Sequence, residues 1–132
     1  MIARVPHRLQ IAAVVLLIYW GALFVGTHLP ASSLSGFHFW DKALHFSAYA
    51  GLAFLLACVR GYRSQPTHRT YLGLVVLIGL YGVVDELSQM AVPSRSADLN
   101  DWFADMLGAI AGLATFAAGR FLVGRAQARS ES

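Results

Sequence analysis

Apolar residues along the chain gather into four long blocks, which short polar segments separate. The blocks cover residues 9–29, 43–59, 71–92 and 103–123. Each approaches the roughly 20 residues that a helix needs to cross a bilayer. The second block reaches that length only when it includes Trp40, Asp41 and Lys42. The pattern predicts one all-α domain over residues 1–132, a bundle of four transmembrane helices at about 9–29, 41–60, 71–92 and 102–123.

The first block could instead be a cleaved signal peptide, because Arg4 and Arg8 precede it. Its apolar run is longer than the roughly 7–15 residues of a typical signal core, and no clean Ala-x-Ala cleavage site follows. We therefore expect the first helix to remain as a membrane anchor.

Composition supports a membrane protein rather than a soluble one. Hydrophobic residues make up 57% of the chain and charged residues only 13%, whereas soluble domains carry about 25% charged residues. The length allows one compact unit and no second domain. Because Cys58 is the only cysteine, no intrachain disulfide can form.

The basic residues predict how the helices are oriented. Eight of the ten lie at the termini or in the second loop. They are Arg4, Arg8, Arg60, Arg63, Arg69, Arg120, Arg125 and Arg129. By the positive-inside rule, this bias places both termini and the second loop in the cytoplasm. The basic residues behind the net charge of +3 thus serve as orientation signals and as contacts for anionic lipid. We expect no nucleic-acid partner.

The acidic residues follow the opposite distribution. Six of the seven fall in the predicted outer half: Asp41, Asp85, Glu86, Asp98, Asp101 and Asp105. Asp85 and Glu86 lie inside the third apolar block, where an ionisable group is costly and usually has a partner or a function.

Helical spacing aligns these acids with other polar residues. Asp41, His45 and Tyr49 recur every four residues on the second helix, and Lys42 lies beside them. Gln89 shares a face with Asp85 or Glu86, and Asp101 shares one with Asp105. Polar side chains are costly against lipid, so each of these three rows of polar residues should face the inside of the bundle. Because the rows lie at similar depth, they predict a polar pocket that opens to the extracytoplasmic side. The predicted ligand-binding residues are Asp41, Lys42, His45, Tyr49, Glu86, Gln89, Arg95, Asp101 and Asp105, and the catalytic candidates are Glu86, His45 and Asp85.

Several of these features also have purely structural interpretations. Asp98 or Asn100 could cap the fourth helix, and Asp101 and Asp105 could complement its dipole. His45 and Tyr49 could hold helices together by hydrogen bonds. The Gly108-x-x-x-Gly112 pair favours close helix packing, and His28 and His38 are expected to be loop residues.

Two motifs resemble those of the VanZ-like family of bacterial membrane proteins. The first is Asp41-Lys42-x-x-His45-x-x-x-Tyr49. The second comprises Glu86-x-x-Gln89, then Pro93-Ser94-Arg95, then Asp101 and Gly108. Asp105 departs from the pattern, which often has asparagine there, and would make the pocket more negative. The resemblance implies a multi-pass protein of the bacterial inner membrane with an envelope role, because the namesake is associated with resistance to the glycopeptide teicoplanin. It implies no reaction.

Three classes of function fit these residues. The first is binding of a membrane lipid or lipid-linked envelope component, with Arg95 and Lys42 on a phosphate or carboxylate. The second is an enzyme acting on such a lipid, by acid–base chemistry or with a divalent metal on His45, Glu86, Asp101 and Asp105; no cofactor is otherwise expected. The third is a structural or partner-binding membrane protein. Transport would need a homodimer, so a second copy of the chain is a further candidate partner.

Overall fold

The protein is a bundle of four α-helices. A computed structural model describes residues 6–29, 38–62 and 64–130, without the side chains of residues 38–40. The helices are α1 (His7–Thr27), α2 (His38–Gly61), α3 (His68–Gln89) and α4 (Leu99–Ser130). All four contain stretches long and apolar enough to cross a membrane, which confirms the predicted all-α fold. Arg4, Arg63, Glu131 and the side chain of Trp40 lie outside the described residues.

Local sequence signals explain where the helices begin. Thr67 caps α3, because its side chain accepts the backbone N–H of Thr70 while the Thr70 hydroxyl accepts the backbone N–H of Thr67. Asp98 caps α4 by a single bond rather than a reciprocal pair, because its Oδ1 accepts the backbone N–H of Asn100 at 2.8 Å. Both helices therefore begin about three residues before their apolar blocks. The predicted capping role of Asp98 is confirmed.

Helices α2 and α4 form the tightest pair. A Cβ atom on Gly108 would collide with the backbone carbonyl of Phe46, and one on Gly112 would collide with that of Ala50. Glycine at these positions therefore lets the two backbones approach closely, as small residues do between membrane helices. This confirms the packing role predicted for the glycine pair.

Helix α1 packs against the rest through a narrow stripe. Its buried residues are Leu9, Leu16 and Leu23, one every seven residues. Tyr19 adds a polar contact, because its hydroxyl donates to the backbone carbonyl of Ala48 at 2.9 Å. Large apolar side chains such as Leu17 and Ile18 face outward and are more than 60% exposed. Such a surface suits a lipid environment rather than water.

The helices alternate in direction, so their ends meet in a defined way. The last residue of α1, Thr27, contacts Asp85 near the end of α3, and Lys42 near the start of α2 contacts Asp101 near the start of α4. All four of these residues lie at the same end of the bundle, where α1 and α3 end and α2 and α4 begin, and we call it the loop end.

Candidate functional site

The buried polar and charged side chains at the loop end are all residues that the sequence singled out. Within the described part of the chain they are His45, Asp85, Glu86, Gln89, Asp101 and Asp105. Tyr49, a further predicted residue, is also fully buried. The structure distributes these residues over three separate groups.

The first group consists of His45, Glu86 and Asp105, and we call it the inner cluster. His45 Nδ1 lies 2.9 Å from Asp105 Oδ1, and Glu86 Oε2 accepts the backbone N–H of Asp98 at 2.8 Å. One potential ligand atom from each residue lies within 4.8 Å of the other two. The second carboxylate oxygens, Glu86 Oε1 and Asp105 Oδ2, are buried and have no hydrogen-bond partner among the described residues.

The second group surrounds Asp85 and joins three helices. Asp85 Oδ1 accepts the hydroxyl of Thr27 from α1 at 3.1 Å. Its Oδ2 accepts the hydroxyl of Tyr49 from α2 at 3.4 Å and the side-chain amide of Gln89 at 3.2 Å. Both oxygens of this carboxylate are therefore satisfied within the bundle, which leaves Asp85 less available for acid–base chemistry than Glu86.

The third group lies nearer the surface and pairs opposite charges. Lys42 Nζ donates to Asp101 Oδ1 at 2.8 Å and to Asp98 Oδ2 at 3.3 Å. The backbone N–H of Asn100, followed by the Lys42 side chain, holds the pKa of Asp98 below its ordinary value. These carboxylates thus already have positive partners.

Arg95 lies in the loop between α3 and α4 and reaches toward α1 and α2. Its Nε donates to the backbone carbonyl of Leu29 at 3.0 Å. One terminal nitrogen lies 3.9 Å from Asp41 Oδ1. Ser94, immediately before it, has a φ of 65°, so the chain turns sharply there and directs Arg95 back over the bundle.

A cavity of about 470 Å³ lies beside these groups, between α1 and α2. Thr27, Asp41, His45 and Arg95 line its outer part. Leu29 and Leu44 lie among these polar residues, and Tyr19, Ala22, Leu23, Ser47 and Ala48 line the deeper part. All charged and imidazole groups of the lining are therefore at the outer end of the cavity.

Among the residues that the structure describes, two sets have suitable geometry for a metal ion. One is the inner cluster, and the other comprises Asp41, His45 and Asp101. Because His45 belongs to both, one ion bound through its imidazole would occupy one set or the other. The cations beside Asp41 and Asp101 make the second set electrostatically less favourable.

Sequence reasoning missed the contribution of the end of α1. Thr27 binds Asp85, and His28 Nε2 lies 2.9 Å from the hydroxyl of Ser88. The expectation that His28 is a loop residue holds, since it follows the last residue of α1, but His28 also contacts α3. The sequence signal that could have revealed this contact is the Thr27-His28 pair at the outer limit of the first apolar block. The pair lies at the same membrane depth as Asp85 and Ser88, which share a helical face. The expectation of a loop position is wrong for His38, because α2 begins at His38, three residues before its predicted start.

Comparisons with known proteins identify the family. Searches of curated proteins and of solved structures found no significant match. The family model described as VanZ/LLP1 matches residues 5–122, which includes all four apolar helices up to the last turns of α4. Both sequence motifs lie inside this range. The chain therefore belongs to the VanZ/LLP1 family of membrane proteins.

Proposed function

We propose that the protein binds an amphiphilic component of the cell envelope, a lipid or lipid-linked molecule with an anionic headgroup, in the cavity between α1 and α2. The observation that carries this proposal is that the charged and imidazole groups of the cavity lie together at its outer end, beside a mainly apolar deeper part. A headgroup would lie against Asp41, His45 and Arg95, and an acyl or prenyl chain would lie against Ala22, Leu23 and Ala48. A partly apolar cleft with a few convergent polar groups is the usual form of a small-molecule site.

Arg95 is the group best suited to an anionic headgroup. Its described hydrogen bond uses only Nε, so the terminal nitrogens can form a bidentate contact with a phosphate or carboxylate. Asp41 is close enough to balance the charge of Arg95 when no ligand is bound. If the headgroup is that of a glycolipid, its sugar hydroxyls would donate hydrogen bonds to Asp41 at the outer end of the cavity.

The cellular setting completes the proposal. With both termini cytoplasmic, the cavity would open toward the extracytoplasmic face of the bacterial inner membrane, where envelope precursors are exposed. A contribution to glycopeptide tolerance would then follow from binding a precursor or altering its availability. The positive-inside bias of the basic residues supports this orientation.

Ligand binding can be tested with a pair of amphiphiles that differ only in charge. Native mass spectrometry of the detergent-purified protein would compare farnesyl phosphate with farnesol. We expect selective retention of farnesyl phosphate, and we expect Arg95→Gln to weaken it by about tenfold or more, the equivalent of one charged hydrogen bond. Arg125→Gln is the matched control, because it removes a positive charge from the distal part of α4.

A second test fills the cavity without disturbing the buried core. Ala22 is exposed and lines the cavity, so Ala22→Phe should block binding while preserving the melting temperature. Val14→Phe places the same ring on an outward-facing position of α1 and should bind normally. Equal retention of farnesyl phosphate and farnesol, or normal binding by Ala22→Phe, would refute the proposal. A teicoplanin susceptibility assay in a complemented deletion strain then tests the envelope role separately.

The second candidate function is an enzyme acting on the same amphiphile. One observation favours it: the buried His45–Asp105 pair lies beside Glu86, whose Oε1 has no described partner, and His45 also lines the cavity. Such a carboxylate and imidazole could transfer protons during hydrolysis or group transfer. Measuring the phosphate released when the protein is incubated with farnesyl phosphate tests this function. Turnover that persists in Glu86→Gln would exclude Glu86 as the acid or base.

A further inference from the structure

We infer that His45, Glu86 and Asp105 form a binding site for one divalent transition-metal cation, with Zn²⁺ or Mn²⁺ as the best-matched ions. The inference is independent of whether an amphiphile binds in the neighbouring cavity. Two carboxylates are buried in the inner cluster, with only 5% of Glu86 and none of Asp105 exposed. An uncompensated charge in such a position is very costly.

The described neighbours compensate the inner cluster only in part. Glu86 receives one backbone N–H, and Asp105 contacts one imidazole nitrogen. Lys42, the single lysine of the sequence, is instead paired with Asp98 and Asp101. Arg95 is directed to Leu29 and Asp41. A dication would balance both carboxylates, which no described side chain does.

The unpartnered oxygens provide a second and independent indication. Glu86 Oε1 and Asp105 Oδ2 are both fully shielded and accept no described hydrogen bond. Buried carboxylate oxygens normally accept at least one hydrogen bond. Glu86 and Asp105 lie on neighbouring helices and each offer a potential ligand atom within 4.8 Å of the other and of His45. Each therefore retains an oxygen that can accept a cation.

The spacing of the cluster is close to that of a coordination shell. Ligands that lie about 2.0–2.2 Å from an ion are at most about 4.4 Å apart, and the three potential ligand atoms lie within 4.8 Å of one another. A small rotation of one side chain would close the difference. The backbone N–H of Asp98 holds the other Glu86 oxygen at 2.8 Å, which is the kind of outer contact that orients metal-binding carboxylates.

The donor set selects the class of ion. One imidazole nitrogen with two carboxylate oxygens suits Zn²⁺ or Mn²⁺ better than Mg²⁺ or Ca²⁺, which favour oxygen ligands throughout. Three protein ligands leave at least one coordination position for water or another oxygen. Since His45 also lines the cavity, that position is near the polar end of the cavity.

The test uses the full-length protein with its affinity tag removed, stripped with EDTA in detergent. Calorimetric titration with Zn²⁺ and with Mn²⁺ should show one ion per chain and a higher melting temperature with metal, and Mg²⁺ should bind more weakly. Glu86→Gln and Asp105→Asn should each weaken binding by about tenfold or more, since even the loss of outer contacts commonly has that effect. Asp98→Asn is the control, because its carboxylate is outside the cluster and its backbone N–H is retained.

Pulsed EPR of Mn²⁺ bound to the wild-type protein keeps the inference testable if the cluster variants fail to fold. Coordination by His45 should produce a nitrogen coupling from the imidazole, and that coupling should persist in His28→Asn. Absence of stoichiometric Zn²⁺ or Mn²⁺ binding, absence of the nitrogen coupling, or its loss in His28→Asn would overturn the assignment. Weakening by Asp101→Asn without weakening by Asp105→Asn would also overturn it and would place the ion in the outer set.

Discussion

Gly108 of α4 lies directly against the backbone carbonyl of Phe46 in α2, with no room for a side chain between them. His45, the residue before Phe46, reaches Asp105, which lies three residues before Gly108. The close approach of the two backbones therefore determines the distance between the two halves of the inner cluster. Packing and site geometry are linked at this point, because both depend on the same helix pair.

Gly108→Ala should separate α2 from α4 and destabilise the protein. Because the atom in conflict is backbone, which cannot rotate away, we expect a cost of about 1–3 kcal/mol, typical of overpacking. Gly119→Ala is the matched control on the same helix, since a Cβ there meets nothing within 4 Å. It should be neutral or stabilise α4 by up to about 1 kcal/mol. Thermal unfolding in one detergent measures both, and equal melting temperatures would contradict the packing described.

Asp98→Ala should loosen the start of α4. The substitution removes the side-chain acceptor for the Asn100 N–H, and loss of a helix N-cap costs about 1 kcal/mol. Asp98→Asn should retain most of the stability, because asparagine caps as well as aspartate and only the weak, exposed contact with Lys42 is lost. The comparison is again made by melting temperature. An equal loss in both variants would show that the charge, rather than the cap, is what matters.

The sequence was sufficient to predict the four spans and the identity of the buried polar residues. The lengths of the apolar blocks predict α1 to α4 within a few residues at most ends. The exception is α4, which continues through a basic segment to Ser130, beyond the predicted end at 123. The cost of placing His45, Glu86 or Asp105 in lipid was enough to predict that each faces inward.

The grouping of those residues could not be predicted from the sequence. Asp85 and Glu86 are adjacent, so their side chains point about 100° apart around the helix. Asp85 consequently faces Thr27 and Tyr49, and Glu86 faces α4. Which neighbour each one meets depends on how α3 is rotated within the bundle, and rotation is determined by packing between helices that lie far apart in sequence.

The orientation of the bundle in the membrane is a separate prediction. Because eight of the ten basic residues lie at the termini or in the second loop, we expect the loop end to face outward. A cysteine at Ser96 should react with a membrane-impermeant thiol reagent in intact cells, whereas one at Ser64 should react only after lysis. These variants are made in a Cys58→Ala background. Labelling at Ser64 alone would invert the proposed topology and place the cavity on the cytoplasmic face.

Asp85→Asn should be more harmful than its small chemical change suggests. The carboxylate accepts hydrogen bonds from Thr27, Tyr49 and Gln89. An amide offers one acceptor oxygen and places an NH₂ group against at least one of these donors. We expect a loss of about 1–3 kcal/mol, the cost of an unsatisfied buried polar group.

Tyr49→Phe is the matched comparison for Asp85→Asn, because it removes one donor of the same network and creates no conflict. A single hydrogen bond between membrane helices contributes about 0.6 kcal/mol on average, and the Tyr49–Asp85 contact is long at 3.4 Å. The melting temperature of Tyr49→Phe should therefore fall much less than that of Asp85→Asn. If Asp85 only joins helices, any ligand or metal binding should survive in both variants once they are folded. Loss of metal binding in folded Asp85→Asn would instead connect this carboxylate to the inner cluster.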